Sequence, residues 1–205
     1  MQADRWIVGG LFGLGLAILA GMWLNVTAFG PAQSQAADTG GPYLVIEVAG
    51  QVTGEIVIDL RDDVAPEHAA RLIALAEDGA YDGVVFHRVI EGFMAQTGDV
   101  RFGRHGGDLG RAGMGGSERG NLRAEFSRLP FQRGTVGMAR SQDPNSANSQ
   151  FFIMFAPASH LNGQYTVVGQ VVEGMEVVDT IRRGDPARNG SVTDPDRMER
   201  VTVRR

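Results

Sequence analysis

Two segments near residue 50 have an aliphatic residue at every second position. Every second residue from Leu44 to Val48 is aliphatic, and the same spacing returns from Ile56 to Leu60. A period of two is typical of a strand with one buried face. Because the glycine-containing segment Gly50–Gly54 between the two runs is short, we predict a β-hairpin.

A helix is predicted directly after the hairpin. Pro66 suits the first helical position, and Gly79 suits a helix end. Leu72, Ile73 and Ala76 lie at helical spacing between them and would form one apolar face.

The remaining apolar runs predict mainly strands. These strands are expected at Val84–Ile90, Phe93–Thr97, Thr135–Arg140, Gln150–Phe155, Tyr165–Val172 and Glu199–Val203. A second short helix is expected at Met175–Arg183. Strands without a regular alternation of helices favour a mainly β fold, and we predict a closed antiparallel barrel of seven or eight strands capped by two helices. Closure would leave no sheet edge unpaired.

One segment has no apolar period. Gly98–Gly120 contains nine glycines and is predicted to form a long irregular loop. Loops longer than about 15 residues in a compact domain are usually functional or disordered.

The beginning of the chain is apolar and uncharged from Trp6 to Leu24. These 19 residues would form a helix of about 28 Å, close to the ~30 Å hydrocarbon thickness of a bilayer. A cleaved signal usually has an apolar core of only about 7–15 residues, so the length favours a transmembrane helix that is retained. The alternative is a signal sequence cleaved near Ala36.

The chain therefore divides into four expected parts. Residues 1–5 are a cytoplasmic stub, 6–25 a transmembrane anchor or signal sequence, 26–42 a linker rich in small and polar residues, and 43–205 the folded domain. Arg5 precedes the apolar segment, and the positive-inside rule then places the folded domain outside the cytoplasm.

Composition excludes several kinds of chemistry. The chain has no Cys and no Lys, since all 19 basic residues are Arg. A thiol nucleophile, a cysteine zinc site, a P-loop lysine and a Schiff-base lysine are therefore impossible. The net charge of −5 argues against a nucleic-acid partner. The four histidines have no metal-ligand spacing, and we expect neither a metal nor a cofactor.

Two ordered motifs carry the functional prediction. Residues 86–99 read FHRVIEGFMAQTGD, and residues 148–153 read NSQFFI. On these motifs the sequence resembles the cyclophilins, in particular their bacterial members, from Tyr43 to Val203. The resemblance implies a closed, eight-stranded cyclophilin-like barrel. It also implies a peptidyl-prolyl cis–trans isomerase that assists protein folding by acting on proline-containing polypeptides. With the apolar segment, it implies a single-pass protein of the bacterial inner membrane with a periplasmic catalytic domain, or a secreted periplasmic one.

The resemblance assigns roles to particular residues. Rotation about an X–Pro bond faces a barrier of ~18–20 kcal/mol, and a catalyst must favour a pyramidal prolyl nitrogen. The resemblance implies that Arg88 donates a hydrogen bond to that nitrogen without forming a covalent intermediate, and that Gln96 holds the substrate backbone and orients Arg88. The implied peptide-binding residues are Phe93, Met94, Ala139, Arg140, Gln150, Phe152, His160, Leu161 and Tyr165.

The sequence departs from the family at three of these positions. Arg140 falls where the family often has Asn, His160 where many eukaryotic members have Trp, and Tyr165 where they have His. Because the Trp indole normally helps to hold cyclosporin, we expect cyclosporin to bind weakly.

Simpler interpretations exist for single residues and for the whole domain. Interpreted without the motif, Arg88 would be a salt-bridge partner of Asp62, Asp63 or Glu91. An open groove better explains an arginine among apolar strand residues, because a buried arginine needs a partner. For the domain, the alternative hypothesis is a tethered chaperone or scaffold that binds proline-containing segments and in which turnover is incidental.

Overall fold

The computed structural model describes residues 38–205, and this part of the chain contains nine β-strands and two α-helices. The strands are β1 Tyr43–Ala49, β2 Gly54–Leu60, β3 Val84–Val85, β4 Arg88–Ile90, β5 Met94–Thr97, β6 Thr135–Met138, β7 Phe151–Met154, β8 Val167–Glu173 and β9 Arg197–Arg204. The helices are α1 Pro66–Glu77 and α2 Met175–Thr180.

The predicted hairpin and first helix are confirmed. β1 and β2 pair antiparallel, with Leu44 opposite Ile58. Pro66 lies in the first turn of α1, where its missing N–H costs no helical hydrogen bond. The helix buries Leu72 and Leu75 and packs against β1 and β9. α2 ends earlier than predicted because Ile181 has extended backbone angles.

All nine strands belong to one antiparallel sheet, in the order β3-β9-β1-β2-β8-β6-β7-β5-β4. β3 and β4 form its two edges, and no ladder joins them within residues 38–205. The predicted closed barrel of eight strands is therefore wrong, since the sheet is open and has nine strands.

The difference arises at Val84–Ile90, which was predicted as one strand. Its first two residues pair with β9 and its last three with β5. Between them, the Phe86 amide donates to the Asp196 carbonyl at 2.9 Å, and the His87 carbonyl accepts from the Val192 amide at 3.1 Å. Only Phe86 and His87 separate β3 from β4 along the chain. The sheet must therefore curve so that its two edge strands lie near each other.

The curved sheet encloses the main hydrophobic core, and a smaller apolar cluster lies near the β4 edge. The main core contains Leu44, Ile58 and Phe151, all inaccessible to solvent. The smaller cluster consists of Met94, Phe131, Phe152, Met154, Ala158, Leu161 and Val167. Three of its members were predicted to bind substrate, which places the expected site over this cluster.

The expected membrane segment at 6–25 and most of the linker lie outside the described residues. Neither α1 nor α2 has the length and hydropathy needed to cross a bilayer. The described end of the linker is fixed to the sheet, because the Thr39 amide and hydroxyl donate to the buried Asp59 carboxylate at 2.8 and 2.9 Å.

Candidate active site

Arg88 begins β4 and lies directly opposite Gln96 of β5. Its Nη1 donates to Gln96 Oε1 at 3.1 Å and has only a 3.9 Å contact with Met94 Sδ. On the other side of the guanidinium, Nε donates to the Asn189 carbonyl at 3.0 Å and Nη2 to Asn189 Oδ1 at 3.0 Å. Three of the five N–H groups of the guanidinium thus donate to oxygen atoms, which fixes the plane of the group. The other two N–H groups have no oxygen acceptor among the described residues and can bind a further one.

The charge of Arg88 has no carboxylate partner within residues 38–205. Two of the three carboxylates proposed as partners are engaged elsewhere, since Glu91 pairs with Arg183 and Asp63 with Arg61, and the third, Asp62, forms no ion pair with Arg88. Partial burial lowers the pKa of the Arg88 guanidinium. Arginine nevertheless stays protonated in proteins. The site therefore contains an uncompensated cation.

Two glutamine amides continue the hydrogen-bond network away from Arg88. Gln96 Nε2 donates to Gln150 Oε1 at 2.9 Å. Gln150 Nε2 in turn donates to the Gly113 and Gly115 carbonyls at 3.0 and 2.7 Å. Because each amide nitrogen is committed as a donor, the Gln96 oxygen must face Arg88, which fixes the amide orientation.

The glycine-rich loop that ends this network is organised by a buried carboxylate. Asp99 Oδ2 accepts from the Gly113 and Gly115 amides at 2.8 and 2.9 Å. Asp99 Oδ1 accepts from the Arg101 and Phe102 amides at 3.1 and 2.9 Å. A Cβ at Gly115 would lie 2.5 Å from this oxygen, so the close approach requires glycine. The predicted irregular loop is thus fixed by Asp99.

A cavity of about 480 Å³ lies beside Arg88. Ten of the eleven predicted site residues line it, and Gln164 lines it as well. The predicted residues around it are Arg88, Phe93, Met94, Gln96, Ala139, Arg140, Phe152, His160, Leu161 and Tyr165. The structure therefore brings together residues that are up to 77 positions apart in the sequence (88 to 165).

The cavity has an apolar floor and aromatic walls. Met94, Phe152 and Leu161 are buried beneath it. Tyr165 meets the Phe152 ring edge-on, with centroids 5.9 Å apart. On the other side, Phe93 stacks on the exposed His160 ring at 5.9 Å. A concave apolar surface with a few polar groups at its edge is typical of a site for a small ring.

A second, more polar cavity of about 640 Å³ adjoins the first. Gln150, the remaining predicted residue, lines this second cavity. The two cavities share Gln96, Ala139 and Arg140, so they form one continuous groove. We call the first the apolar cavity and the second the polar cavity.

His87 lies next to Arg88 but faces the protein interior. Burial lowers the pKa of His87 to about 4. A Cβ on Gly113 would lie 3.1 Å from the His87 ring, which shows how closely the loop packs on it. His87 is therefore uncharged at neutral pH and exerts no charge repulsion on Arg88.

Sequence reasoning missed Asn189, although it makes two hydrogen bonds with Arg88. Asn189 has a φ of 53° and is followed by Gly190. An Asn-Gly pair is a recognisable turn signal. That signal predicts a loop, but it does not indicate which distant side chain the loop would contact.

Comparison with known proteins agrees with this arrangement. The family model described as "Cyclophilin type peptidyl-prolyl cis-trans isomerase/CLD" matches residues 43–203. The chain belongs to the cyclophilin family of peptidyl-prolyl cis–trans isomerases. A probable peptidyl-prolyl cis-trans isomerase of Brucella suis biovar 1 is 59% identical over 152 residues, which are 73% of this chain and 78% of that protein. The family predicted from the two motifs is confirmed, and this cyclophilin is an isomerase.

More distant cyclophilins extend the similarity. Peptidyl-prolyl cis-trans isomerase CYP18-1 of Arabidopsis thaliana is 36% identical over 151 residues, covering 73% of this chain and 90% of that protein. A crystal structure of a Hirschia baltica cyclophilin has a TM-score of 0.64 at 24% identity, over 78% of this chain and 73% of that one. A Cryptosporidium parvum cyclophilin, crystallised in the presence of the dipeptide ala-pro, has a TM-score of 0.67 at 24% identity. The similarity covers 80% of this chain and 99% of that one. The two structural similarities show a shared fold.

Proposed function

We propose that this cyclophilin accelerates rotation about X–Pro bonds through a hydrogen bond from Arg88 to the prolyl nitrogen, without a covalent intermediate. In the planar amide, the nitrogen lone pair is conjugated with the carbonyl, which creates the barrier of ~18–20 kcal/mol. As the bond twists, the lone pair leaves conjugation and becomes a hydrogen-bond acceptor. A donor at that nitrogen therefore stabilises the transition state more than either planar isomer.

The observation that carries this proposal is the fixed, uncompensated guanidinium of Arg88 at the wall of an apolar cavity. Gln96 and Asn189 hold its plane, so little reorganisation is needed when the substrate amide twists. The apolar surroundings strengthen the interaction relative to water. No Ser, Thr, Cys, Lys, Asp or Glu lines the apolar cavity in the described part of the chain, which favours a mechanism without a covalent step.

The remaining lining residues are proposed to hold the substrate. The prolyl ring would lie on Phe93, Met94, Phe152 and Leu161. Within residues 38–205, the backbone amide and carbonyl of Arg140 have no hydrogen-bond partner, so they can pair with an extended peptide as an added strand would.

The test compares the full chain with Arg88→Ala and Arg88→Lys on a proline-containing peptide. Loss of a preorganised donor typically costs about 10²–10³-fold in rate, which is the fall in kcat/KM expected for Arg88→Ala. Arg88→Lys retains the charge but lacks the planar donor fork. Its kcat/KM is expected to lie between those of the unmodified chain and Arg88→Ala. Arg200→Ala removes an exposed arginine of β9 outside both cavities and should act like the unmodified chain. Equal acceleration by all four proteins would refute the mechanism.

We also propose that the isomerase assists folding by acting on exposed X–Pro bonds outside the cytoplasm. The uncharged apolar segment Trp6–Leu24, followed by a linker of small and polar residues, supports this location. Mass spectrometry of the native N-terminus and protease treatment of intact cells and spheroplasts test it. A chain protected from protease in spheroplasts, with its original N-terminus, would contradict the proposed location.

A further inference from the structure

The two cavities are lined by positive side chains and by no acidic one among the described residues, although Arg101 also lines a neighbouring cavity that contains Asp78 and Glu118. Arg88 lines the apolar cavity, Arg101 the polar cavity, and Arg140 both. Within residues 38–205, no Asp or Glu lines either cavity. This distribution is opposite to that of the whole chain, which has 24 acidic and 19 basic residues.

Most arginines outside the groove differ from those inside it in their ion pairing, although six described arginines outside the groove also lack an ion pair. Nine other arginines of the described residues form ion pairs with Asp or Glu. None of the three groove arginines takes part in such a pair within residues 38–205. Their charges are therefore available to an anion that enters the groove.

Arg140 is held in place by neutral groups only. Its Nη1 donates to the Ser141 carbonyl at 2.8 Å and its Nη2 to the Gln164 carbonyl at 2.8 Å. Its guanidinium also lies 4.2 Å from the centroid of the Tyr165 ring. These contacts order the Arg140 side chain without neutralising its charge. Little side-chain entropy is therefore lost when an anion binds.

Arg101 provides the second cation of the polar cavity. Its guanidinium lies 4.9 Å from the centroid of the Phe102 ring. Arg111 lies on the same ring at 3.9 Å but lines neither cavity. The two arginines thus share one aromatic partner, and only Arg101 faces the groove.

We propose that this cyclophilin prefers proline sites flanked by acidic side chains, with the prolyl ring in the apolar cavity and a flanking Asp or Glu in the polar cavity. A concave surface lined by one sign of charge concentrates ligands of the opposite sign. The inference rests on the proposed function, because the apolar cavity must first hold the proline for a neighbouring residue to reach Arg140 and Arg101.

The test is a peptide series with a constant X–Pro core and Glu, Gln or Lys at each of the three positions on either side. The full chain is assayed for kcat/KM at low and at high salt. At one position or more, the Glu peptide is expected to exceed the Gln peptide by about threefold to tenfold, with the Lys peptide lowest. High salt should reduce this preference, because it screens exposed charges.

Three variants locate the preference. Arg140→Gln and Arg101→Gln should each lower the Glu-to-Gln ratio toward one, whereas Arg111→Gln, which removes the arginine on the other side of Phe102, should leave it unchanged. The ratio compares two peptides on one protein, so a partial loss of folded variant does not alter it. The comparison of Glu, Gln and Lys peptides on the unmodified chain also tests the acidic preference without any variant.

Each contrary result identifies what is wrong. Equal rates on Glu, Gln and Lys peptides, all accelerated, would overturn the acidic preference and leave the proposed function intact. A Glu preference that persists in both Arg140→Gln and Arg101→Gln would also overturn it. Absence of acceleration for every peptide would overturn the proposed function and this inference together.

Discussion

Asn189 accepts two hydrogen bonds from Arg88, although the two residues are 101 positions apart in the sequence. One bond goes to its backbone carbonyl and one to its side-chain oxygen, each at 3.0 Å. The backbone of Asn189 is left-handed at this position, with a φ of 53°. The orientation of the proposed catalytic group therefore depends on a loop far away in the chain.

The first prediction concerns this contact. Asn189→Gly keeps the left-handed backbone and the carbonyl acceptor but removes the side-chain oxygen. We expect kcat to fall about threefold to tenfold with a smaller change in KM, because Arg88 is less well oriented in the transition state. Asn189→Asp retains an acceptor and tolerates the same φ, but its carboxylate would compensate the charge of Arg88, so kcat should fall in this variant even though the orientation is kept. Steady-state kinetics on one peptide measure both effects, and unchanged kcat in Asn189→Gly would refute this positioning role.

The second prediction concerns Gln96. Gln96→Leu removes the acceptor of Arg88 Nη1 and the donor to Gln150 Oε1. Loss of one hydrogen bond to a charged group costs about 1.5 kcal/mol or more, so kcat/KM should fall at least about tenfold.

Thr97→Val is the matched control for Gln96→Leu. Thr97 follows Gln96 in β5, but its hydroxyl donates to the Val85 carbonyl at 3.0 Å in the core. Thermal unfolding should detect a loss of stability in Thr97→Val, while its kcat/KM stays near that of the unmodified chain. Equal activity losses in both variants would indicate a general loss of structure.

Local rules were sufficient for the parts of the fold that depend on neighbouring residues. The hairpin followed from alternation around Gly50–Gly54, and α1 followed from Pro66 and its apolar spacing. The break that leaves the sheet open could not be derived in this way. It depends on Phe86 and His87, whose backbone groups pair with loop residues instead of strands. Their aromatic side chains gave no sign of that break.

The candidate site was predictable where the motifs are contiguous and unpredictable where distant loops complete it. Arg88 and Gln96 lie eight positions apart, and one hairpin brings them together. Asn189 and Arg101 come from loops, and the loop that contains Arg101 is fixed by hydrogen bonds to the Asp99 carboxylate from the Gly113 and Gly115 amides, 14 and 16 positions away. Neither contact has a local periodicity that a sequence could reveal.

The third prediction concerns His160, which stacks on Phe93 at the rim of the apolar cavity. An indole at this position would present a larger apolar surface and an N–H donor to a bound macrocycle. We expect cyclosporin to inhibit the unmodified chain weakly and His160→Trp at least about tenfold more strongly, since aromatic contacts of this size contribute on the order of 1–2 kcal/mol. Inhibition curves on one peptide measure the change, and equal curves would contradict it.

The fourth prediction concerns the dependence of stability on pH. Burial lowers the pKa of His87 to about 4, compared with about 6.5 in an unfolded chain. Above pH 6.5 the ring is uncharged in both states, so it contributes no pH dependence. Between pH 6.5 and 4 the unfolded chain binds a proton that the folded chain does not, and stability falls as the pH falls. The loss reaches on the order of 3 kcal/mol near pH 4 and then levels off.

Urea unfolding of the full chain at a series of pH values tests this prediction. His87→Gln removes the titrating ring, so the difference between its unfolding free energy and that of the unmodified chain should change by on the order of 3 kcal/mol between pH 7 and pH 4. His105→Gln, at an exposed position of the glycine-rich loop, should follow the unmodified chain. Carboxylates that titrate in the same range act equally in all three proteins and cancel in the differences. Parallel curves for His87→Gln and the unmodified chain would show that folding does not lower the pKa of His87, and the ring would then add a second positive charge next to Arg88 below about pH 6.5.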